Sequence, residues 1–562
     1  MKLSYTLFIS ALISLSADSF AQNPLAPGGG GGGTNAYNPY PNFNPTPIII
    51  YPTNAVLKWY LQIPGSPLHS MLSLSPDGCL YVSVDENPGQ EYLYSINTSI
   101  IDTNDVSYPL PDNFLNWTYR AAEELITPAI TTDGKIYIRG TFVSSNGIIY
   151  ELPQPFLPPN TFSVGAIAAL NPTNGSLSLA FGKNSYKSFS SVAVGNDEAV
   201  YTCSGGYVYA LTNAPGKINS FTNSEGYIFI LNNVGLKWIY RDGPESVNTF
   251  QTATPFVGQD GTLYVVNSYS AGPLWAFNST NGTLKWKTSN SIFASGASEY
   301  GPAVGFDGKI YFGSDTNFYA IDPKLPTTNG IMGAKWTYKN SSRGEFTYSP
   351  VIGSDGTIYV EFIGFNTNNQ LLALDPNTGN LKWKNKIGAG LAKSGVNFKR
   401  GSLAVAADGE IYLADSDGLL YSFAPDGQTN WVYATGEQAL GSPLIGPDGV
   451  VYVESLPYHE GCYIYAFQGQ SPIACSAWPE QGRNARRTSA MATASVSSPS
   501  MLADGFQFTL NGFTNMPVCP CASSDLKTWT NIGQTILTEG RTNFTDMGTG
   551  DYPYRFYRAF PQ

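Results

Sequence analysis

The sequence predicts an all-β chain: an eight-bladed β-propeller closed by an N-terminal strand, followed by a small C-terminal β-sandwich-like domain. Three observations predict it. Turn and strand formers dominate, with 58 Gly, 39 Pro and 36 Tyr among 562 residues, while charged residues make up only 13%. That is the composition of an all-β protein rather than of a helical bundle or a doubly wound α/β enzyme. An Asp-Gly-x-apolar-Tyr pattern recurs along most of the chain, and a Leu-Lys-Trp-like strand recurs beside it. Self-similarity at a period of about 40–60 residues is the signature of a repeat architecture.

Residues 1–21 read as a secretory signal. Lys2 supplies the charge, Leu3 to Leu15 an apolar run, and Ser19-Phe20-Ala21 the small residues before a cut after Ala21. The run is too short to span about 30 Å of hydrocarbon, and no later segment has the length and apolarity of a membrane span. Residues 22–49 contain six consecutive glycines, Gly28 to Gly33, then an Asn/Pro/Tyr-rich stretch. Polyglycine carries too much backbone entropy to fold, so this is a flexible linker. The expected destination is extracellular, the cell surface or the periplasm.

Residues 50–490 hold the repeat. Its aspartates are Asp77, Asp133, Asp197, Asp260, Asp307, Asp355, Asp408 and Asp448, each followed four residues later by a tyrosine, from Tyr81 to Tyr452. Gly follows the Asp in every copy but one, where Glu198 stands instead. Asp-Gly before an alternating run is a tight turn entering a strand. Within a unit, Val351-Ile352 precedes the turn, Thr357 to Glu361 follows it, and Leu372-Ala373-Leu374 and Leu381-Lys382-Trp383 complete four strands, which is one propeller blade. The fourth-strand tryptophans are Trp59, Trp117, Trp238, Trp286, Trp336, Trp383 and Trp431, with Leu179 in the slot of the second blade. Trp59 precedes the first Asp-Gly unit, and the eighth unit has no fourth strand after it. The N-terminal strand therefore completes the last blade and leaves no open sheet edge at the seam.

The segment Ala373-Leu-Asp-Pro-Asn-Thr-Gly-Asn-Leu-Lys-Trp383 resembles the tryptophan-docking repeat of pyrroloquinoline-quinone-type, quinoprotein-like propellers. Ala276 to Trp286 is a second copy with Asn278 in place of Asp, and Ala169 to Leu179 a third without the Trp. Trp478-Pro479 to Thr488 resembles a flanking signature found beside such propellers. The resemblance implies that each Trp docks between neighbouring blades. Quinone-dependent dehydrogenases of this superfamily carry a vicinal Cys-Cys disulfide and a Glu/Asn/Asp calcium site. No adjacent cysteines occur here, and no such metal set is recognisable by spacing. Neither pyrroloquinoline quinone nor calcium is therefore expected, and no catalytic or metal residue is assigned.

Residues 491–500 read as a Ser/Thr/Ala-rich linker, and 501–562 as a small β domain. Its Ser523 to Trp529 and Arg555-Phe-Tyr-Arg558 resemble the C-terminal β-domains of exported verrucomicrobial-type proteins. The linker suggests few contacts with the propeller and an independent folding unit.

The formal charge of −11 disfavours nucleic-acid binding, and two histidines cannot build a multi-His metal site. Charged residues of the loops entering the innermost strands are the candidates for a ligand at the axial funnel: Arg120, Glu124, Arg241, Glu299, Arg343, Glu345, Lys399 and Arg400. Among six cysteines, Cys462 and Cys475 flank the third strand of the last blade and are the expected disulfide. The functional expectation is an exported, monomeric, non-catalytic propeller that scaffolds or binds a protein or glycan. The competing class is a quinone-dependent dehydrogenase or a propeller-type carbohydrate-active enzyme.

Overall fold

The computed structural model describes residues 48–561 with gaps; residues 1–47, 101–113, 151–161, 290–300, 388–401 and 475–494 are the longer stretches outside the description. The signal segment, most of the first linker and the Trp478 to Thr488 signature lie outside it.

The chain is a β-propeller built from the Asp-Gly units. In the sixth unit, Val351–Ile352, Ile358–Gly364, Asn369–Leu374 and Leu381–Ile387 follow one another as antiparallel neighbours. The turn between the first two closes on itself. Asp355 Oδ1 accepts the Thr357 N–H at 2.9 Å, while Gly356 takes φ +83°. That left-handed conformation suits glycine, and in the third unit Glu198 is held in it at φ 58°.

Hydrophobic cores lie between units rather than within them, because each sheet is apolar on both faces. Tyr81 and Trp117 of the first unit pack with Ile130 and Ile136 of the second. Val351 and Tyr359 of the sixth pack with Leu403 and Leu413 of the seventh. Leu444, Tyr452 and Ile464 of the eighth pack with Leu74 and Leu80 of the first. The strand Val56–Ile63 pairs antiparallel with Cys462–Gln468, the third strand of the eighth unit, and its Leu61 and Ile63 have no exposed surface. Just before it, Ile48–Ile49 pairs with Tyr433 and Ala434 on the outer strand of the seventh unit. The N-terminal segment thus straps two neighbouring units, and the expected linker ends in a strand.

Units two and three depart from the simple blade. They share one nine-stranded sheet. The third and fourth strands of unit three are long, Tyr207–Thr222 and Ile228–Arg241, and both bend. Register shifts at Asn213/Ile218, and Asn233 takes φ 56°. Beyond the bend, Phe229 to Asn232 pairs with Lys183 to Ala180, the outer strand of unit two. The hairpin arm therefore belongs to unit three by sequence and to unit two by sheet.

The C-terminal residues form two sheets, one of Ser495–Leu502, Gly505–Asn511 and Arg541–Asp546, the other centred on Met516–Ser523. Strand structure starts at Ser495, inside the stretch expected to be a linker. Phe508, Leu510, Val518 and Leu537 make the core. Asp546 accepts a hydrogen bond from the Tyr557 hydroxyl at 3.0 Å and pairs with Arg555 at 3.2 Å. Contacts with the propeller exist where few were expected: Phe306, in the turn of the fifth unit, packs against Cys519 and Cys521, with the Arg558 guanidinium 6.0 Å from its ring centre. The other units place Pro76, Thr132, Asn196, Gln259, Ser354, Ala407 and Pro447 at that position. Among the described residues, no helix is long and apolar enough to cross a membrane.

If the N-terminal strand closes the ring, Leu61→Ala should cost about 2–5 kcal/mol, as for a buried core leucine. Val56→Ala, at a position 54% exposed, should stay within about 0.5 kcal/mol. Denaturant melts of the mature chain give both values, and equal small effects would mean that the strand is ornamental.

Candidate binding face

The two ends of each sheet have different chemistry, and the turn end is given over to holding the units together. Trp117 Nε1–H donates to Pro172 O at 2.7 Å, Trp238 to Ser279 O at 2.8 Å, Trp336 to Pro376 O at 3.1 Å and Trp383 to Pro425 O at 2.9 Å. Each acceptor lies in the turn between the third and fourth strands of the following unit. The indole rests on the glycine of that turn: a Cβ on Gly175, Gly282, Gly379 or Gly427 would come within 2.5–2.8 Å of the ring. Inside its own unit, each of the seven tryptophans stands 5.8–5.9 Å from the repeat tyrosine, from Trp59 with Tyr452 to Trp431 with Tyr412. Trp59, Trp117, Trp238, Trp286 and Trp431 are buried, whereas Trp336 and Trp383 are half-buried.

Charges at this end are consumed locally. The lysine before the tryptophan reaches the turn aspartate of its own unit: Lys237 to Asp197 at 2.5 Å, Lys382 to Asp355 at 3.4 Å and Lys285 to Asp260 at 3.9 Å. Burial pushes the Asp355 carboxyl up, but the Thr357 hydroxyl and amide, with Lys382, hold it below the usual range. Asp133 is held below its usual range in the same way against the burial effect, by Lys135 and Thr131.

The opposite end, where second strands finish and the next unit begins, is the candidate binding face. Its buried polar groups also serve the seams. Glu454, fully buried, accepts the Leu72 N–H at 3.0 Å from the following unit, and a Cβ on Gly441 would lie 2.2 Å from its Oε1. Glu91 accepts the Leu125 N–H in the same sense. Arg139 donates to Phe189 O at 2.7 Å, and Asn369 donates to Asp415, itself fully buried, at 3.0 Å. Backbone bonds repeat the theme, with Phe250 N–H to Gly205 O and Phe346 N–H to Asp315 O, both at 2.7 Å. An amide bonded to a carboxylate is the stronger kind of hydrogen bond, so these acids fix the loops that would meet a ligand.

Of the predicted funnel residues, Arg120 and Arg241 lie at the ends of outer strands. Their cross-strand partners are Tyr92 and Tyr207, whose ring centres are 6.0 and 5.6 Å from the guanidinium carbons. Cation-on-aromatic contact explains the placement. Arg343 is exposed and Glu345 half-buried on the segment entering the sixth unit. Glu124, Glu299, Lys399 and Arg400 lie outside the described residues. Arg343 and Glu345 are thus neighbours in sequence on the segment entering the sixth unit, whereas Arg120 and Arg241 lie on the outer strands of the first and third units. Sequence reading missed Glu454, Glu361 and Arg139, although a signal existed: each stands two residues after the repeat tyrosine, where the other units carry Ser83, Cys203, Val266, Gly313 or Ala414.

The expected Cys462–Cys475 disulfide is not formed. Cys462 carries no disulfide and is sealed in the seam between the eighth and first units. Cys79, Cys203 and Cys521 carry none either, Cys519 is disulfide-bonded, and Cys475 lies outside the described residues. Burial pushes the Cys521 thiol up to about 12. Among the described residues there is no group of three metal-ligating side chains.

The sequence profile described as outer membrane protein assembly factor BamB matches residues 333–471. Over those residues the chain is similar to that repeat family, and the tryptophan docks are the feature its sequence resemblance implied. No curated protein sequence matches it. Among solved structures, BamB from Moraxella catarrhalis is similar at 13% identity and TM-score 0.42, over 74% of this chain and 98% of that one. Sqt1 from Saccharomyces cerevisiae is similar at 9% identity and TM-score 0.47, over 74% and 100%. The Dos1 propeller is similar at 11% identity and TM-score 0.43, over 75% and 96%.

Two outcomes follow for the turn end. Gly379→Ala, at φ +73° beneath Trp336, should destabilise by more than about 2 kcal/mol, whereas Gly308→Ala, at φ +85° in open space, should cost only the backbone strain of about 1 kcal/mol. Calorimetry of the two variants separates docking from strain. The second concerns acid. Asp133 and Asp355 have folded pKa values below the unfolded one, so their stabilisation is complete above about pH 4 and disappears as pH falls through the folded values. The melting temperature should fall below about pH 4, and Asp355→Asn should make that fall shallower.

Proposed function

We propose that this chain is an exported, non-catalytic, eight-bladed propeller that binds a protein or glycan at the end where each unit hands over to the next. One observation carries the reading: Glu91 and Glu454 each hold the amide of a neighbouring loop, Leu125 or Leu72. A carboxylate tied to a backbone amide is positioned to shape a surface, not to exchange protons with a substrate. Handovers fixed in this way, with Arg139 to Phe189 O and Asn369 to Asp415 beside them, hold the loops as a rigid face, the usual ground for recognition on a fixed scaffold. The profile match, named for an assembly factor, supports binding over catalysis. On this reading no cofactor is required. The C-terminal β-sandwich-like module attaches the protein to a surface or partner, and the working site is extracellular, at the cell surface or in the periplasm.

The test is a binding screen of the mature chain, residues 22–562, against soluble glycans and exported proteins. Stoichiometric binding should appear without added cofactor, and Arg343→Glu should weaken it about tenfold, which corresponds to 1.4 kcal/mol. Alcohol-dependent dye reduction after adding pyrroloquinoline quinone and Ca²⁺ would overturn the reading in favour of a dehydrogenase.

A further inference from the structure

The chain has six cysteines. Cys79, Cys203, Cys462 and Cys521 carry no disulfide, whereas Cys519 is disulfide-bonded. Within the chain one cysteine remains to be its partner: Cys475, which lies outside the described residues. The two belong to different parts of the protein. Cys475 directly follows Ala474 at the end of the eighth unit, and Cys519 sits in the strand Met516–Ser523 of the C-terminal module.

Contacts other than the bond itself bring the two to one place. Pro472 to Ala474 runs antiparallel along the seventh unit: Ala407 N–H donates to Pro472 O at 2.7 Å, Ile473 bridges Ala406, and Ala474 N–H donates to Val405 O at 2.8 Å. Ser402–Val405 is the first strand of that unit and an edge of its sheet, the edge that faces the axis in a propeller. Ala474 is buried beside it. Cys519 is placed by the fifth unit, where Phe306 packs against it. Phe306 follows Ala303–Val304, the first strand of its unit, and Ala407 is its counterpart in the seventh. Both cysteines are thus delivered to the turn end of the ring, beside first-strand turns two units apart.

We propose that Cys519 is bonded to Cys475, and that this disulfide staples the C-terminal module to the turn end of the propeller. Its formation is a two-electron oxidation by a disulfide oxidant. One cysteine thiolate attacks a sulfur of the oxidant and releases a first thiol; the other attacks the mixed disulfide, forms the S–S bond and releases a second. The oxidant takes up both electrons and the two protons the cysteines lose. The staple is independent of the proposed ligand, and the proposed export supplies the oxidising compartment it needs. Cross-linking closes residues 476–518 into a loop, which stabilises chiefly by restricting the unfolded chain. Cys521 is poorly suited to reshuffle the bond: burial raises its thiol to about 12, so the attacking thiolate is scarce.

Peptide mass mapping of the mature chain tests the pairing, with glutathione disulfide as the oxidant so that the outcome does not depend on where the protein works. The oxidised chain is denatured, alkylated without reductant and cut with trypsin. Cys79, Cys203, Cys462 and Cys521 should carry the label. Peptides 401–483 and 488–527, which hold Cys462 with Cys475 and Cys519 with Cys521, should appear as one linked mass that a reductant splits. Cys475→Ser and Cys519→Ser should each abolish that mass, while Cys462→Ser and Cys521→Ser should leave it. The parent chain alone gives the decisive mass, so a variant that fails to fold does not blunt the test. Six labelled cysteines overturn the proposal. So does a Cys519 bonded to Cys521 or to a second chain, or a linked mass that survives Cys475→Ser.

Discussion

An indole laid on a glycine holds this ring together. Each dock requires two features on different units: a fourth-strand tryptophan, and a turn whose glycine lacks a Cβ and sits at positive φ, as at Gly175, Gly282, Gly379 and Gly427. The indole N–H then bonds a carbonyl of the same turn, so packing and hydrogen bonding fix the same angle between blades. One such bond contributes about 0.5–1.5 kcal/mol net, a small amount until it recurs at four seams. Closure makes the terms interdependent, since loosening one seam strains the others, and this is why the strand bearing Trp59 matters beyond its own contacts.

The seam between units two and three shows what happens when the dock is absent. Leu179 replaces the tryptophan on one side, and on the other the long hairpin from Tyr207–Thr222 to Ile228–Arg241 replaces the short glycine turn. Lock and socket are missing together. In their place the hairpin hydrogen-bonds directly to Ala180 to Lys183, and Phe181, Phe189, Tyr209 and Phe229 pack around the join. Lys183, with no exposed surface, sits 5.3 Å from the Phe189 ring centre and 5.9 Å from that of Tyr209. Shared backbone pairing substitutes for the indole.

These contrasts explain what the sequence made legible. Repeated features were readable because they recur: the turn Asp, the Tyr four residues on and the Trp each announce a position in a strand. The tyrosine–tryptophan spacing repeats within 0.1 Å because the pattern is one local solution used seven times. What recurs only once was hidden. Nothing periodic marks the arm, since Asn213 to Thr222 looks like a polar loop until its bend at Asn233 is seen. Arg120 and Arg241 were placed in the funnel because a charge near a strand end reads as a loop charge; a tyrosine across the strand holds each on the outer wall. Cys462 and Cys475 are near in sequence, but alternation turns Cys462 into the seam between the eighth and first units. Glu454 belongs to the same class of error, because buried acids are rare enough that composition alone gives no warning.

The position of the C-terminal module limits where recognition can occur. Phe306 occupies a turn of the fifth unit, at the same end as the tryptophan docks, and it is the anchor on which Cys519, Cys521 and Arg558 settle. At the equivalent positions other units place small, polar or proline residues, so the anchor is a local specialisation and not a property of the repeat. With lysines and aspartates neutralising each other along that end and a module seated on it, little unpaired chemistry is left there for a ligand. The opposite end keeps its loops fixed by buried carboxylates while leaving Arg343 exposed. A module docked beside the turns does not obstruct the loops of the opposite end, which is the placement that the proposed division between tethering and recognition requires.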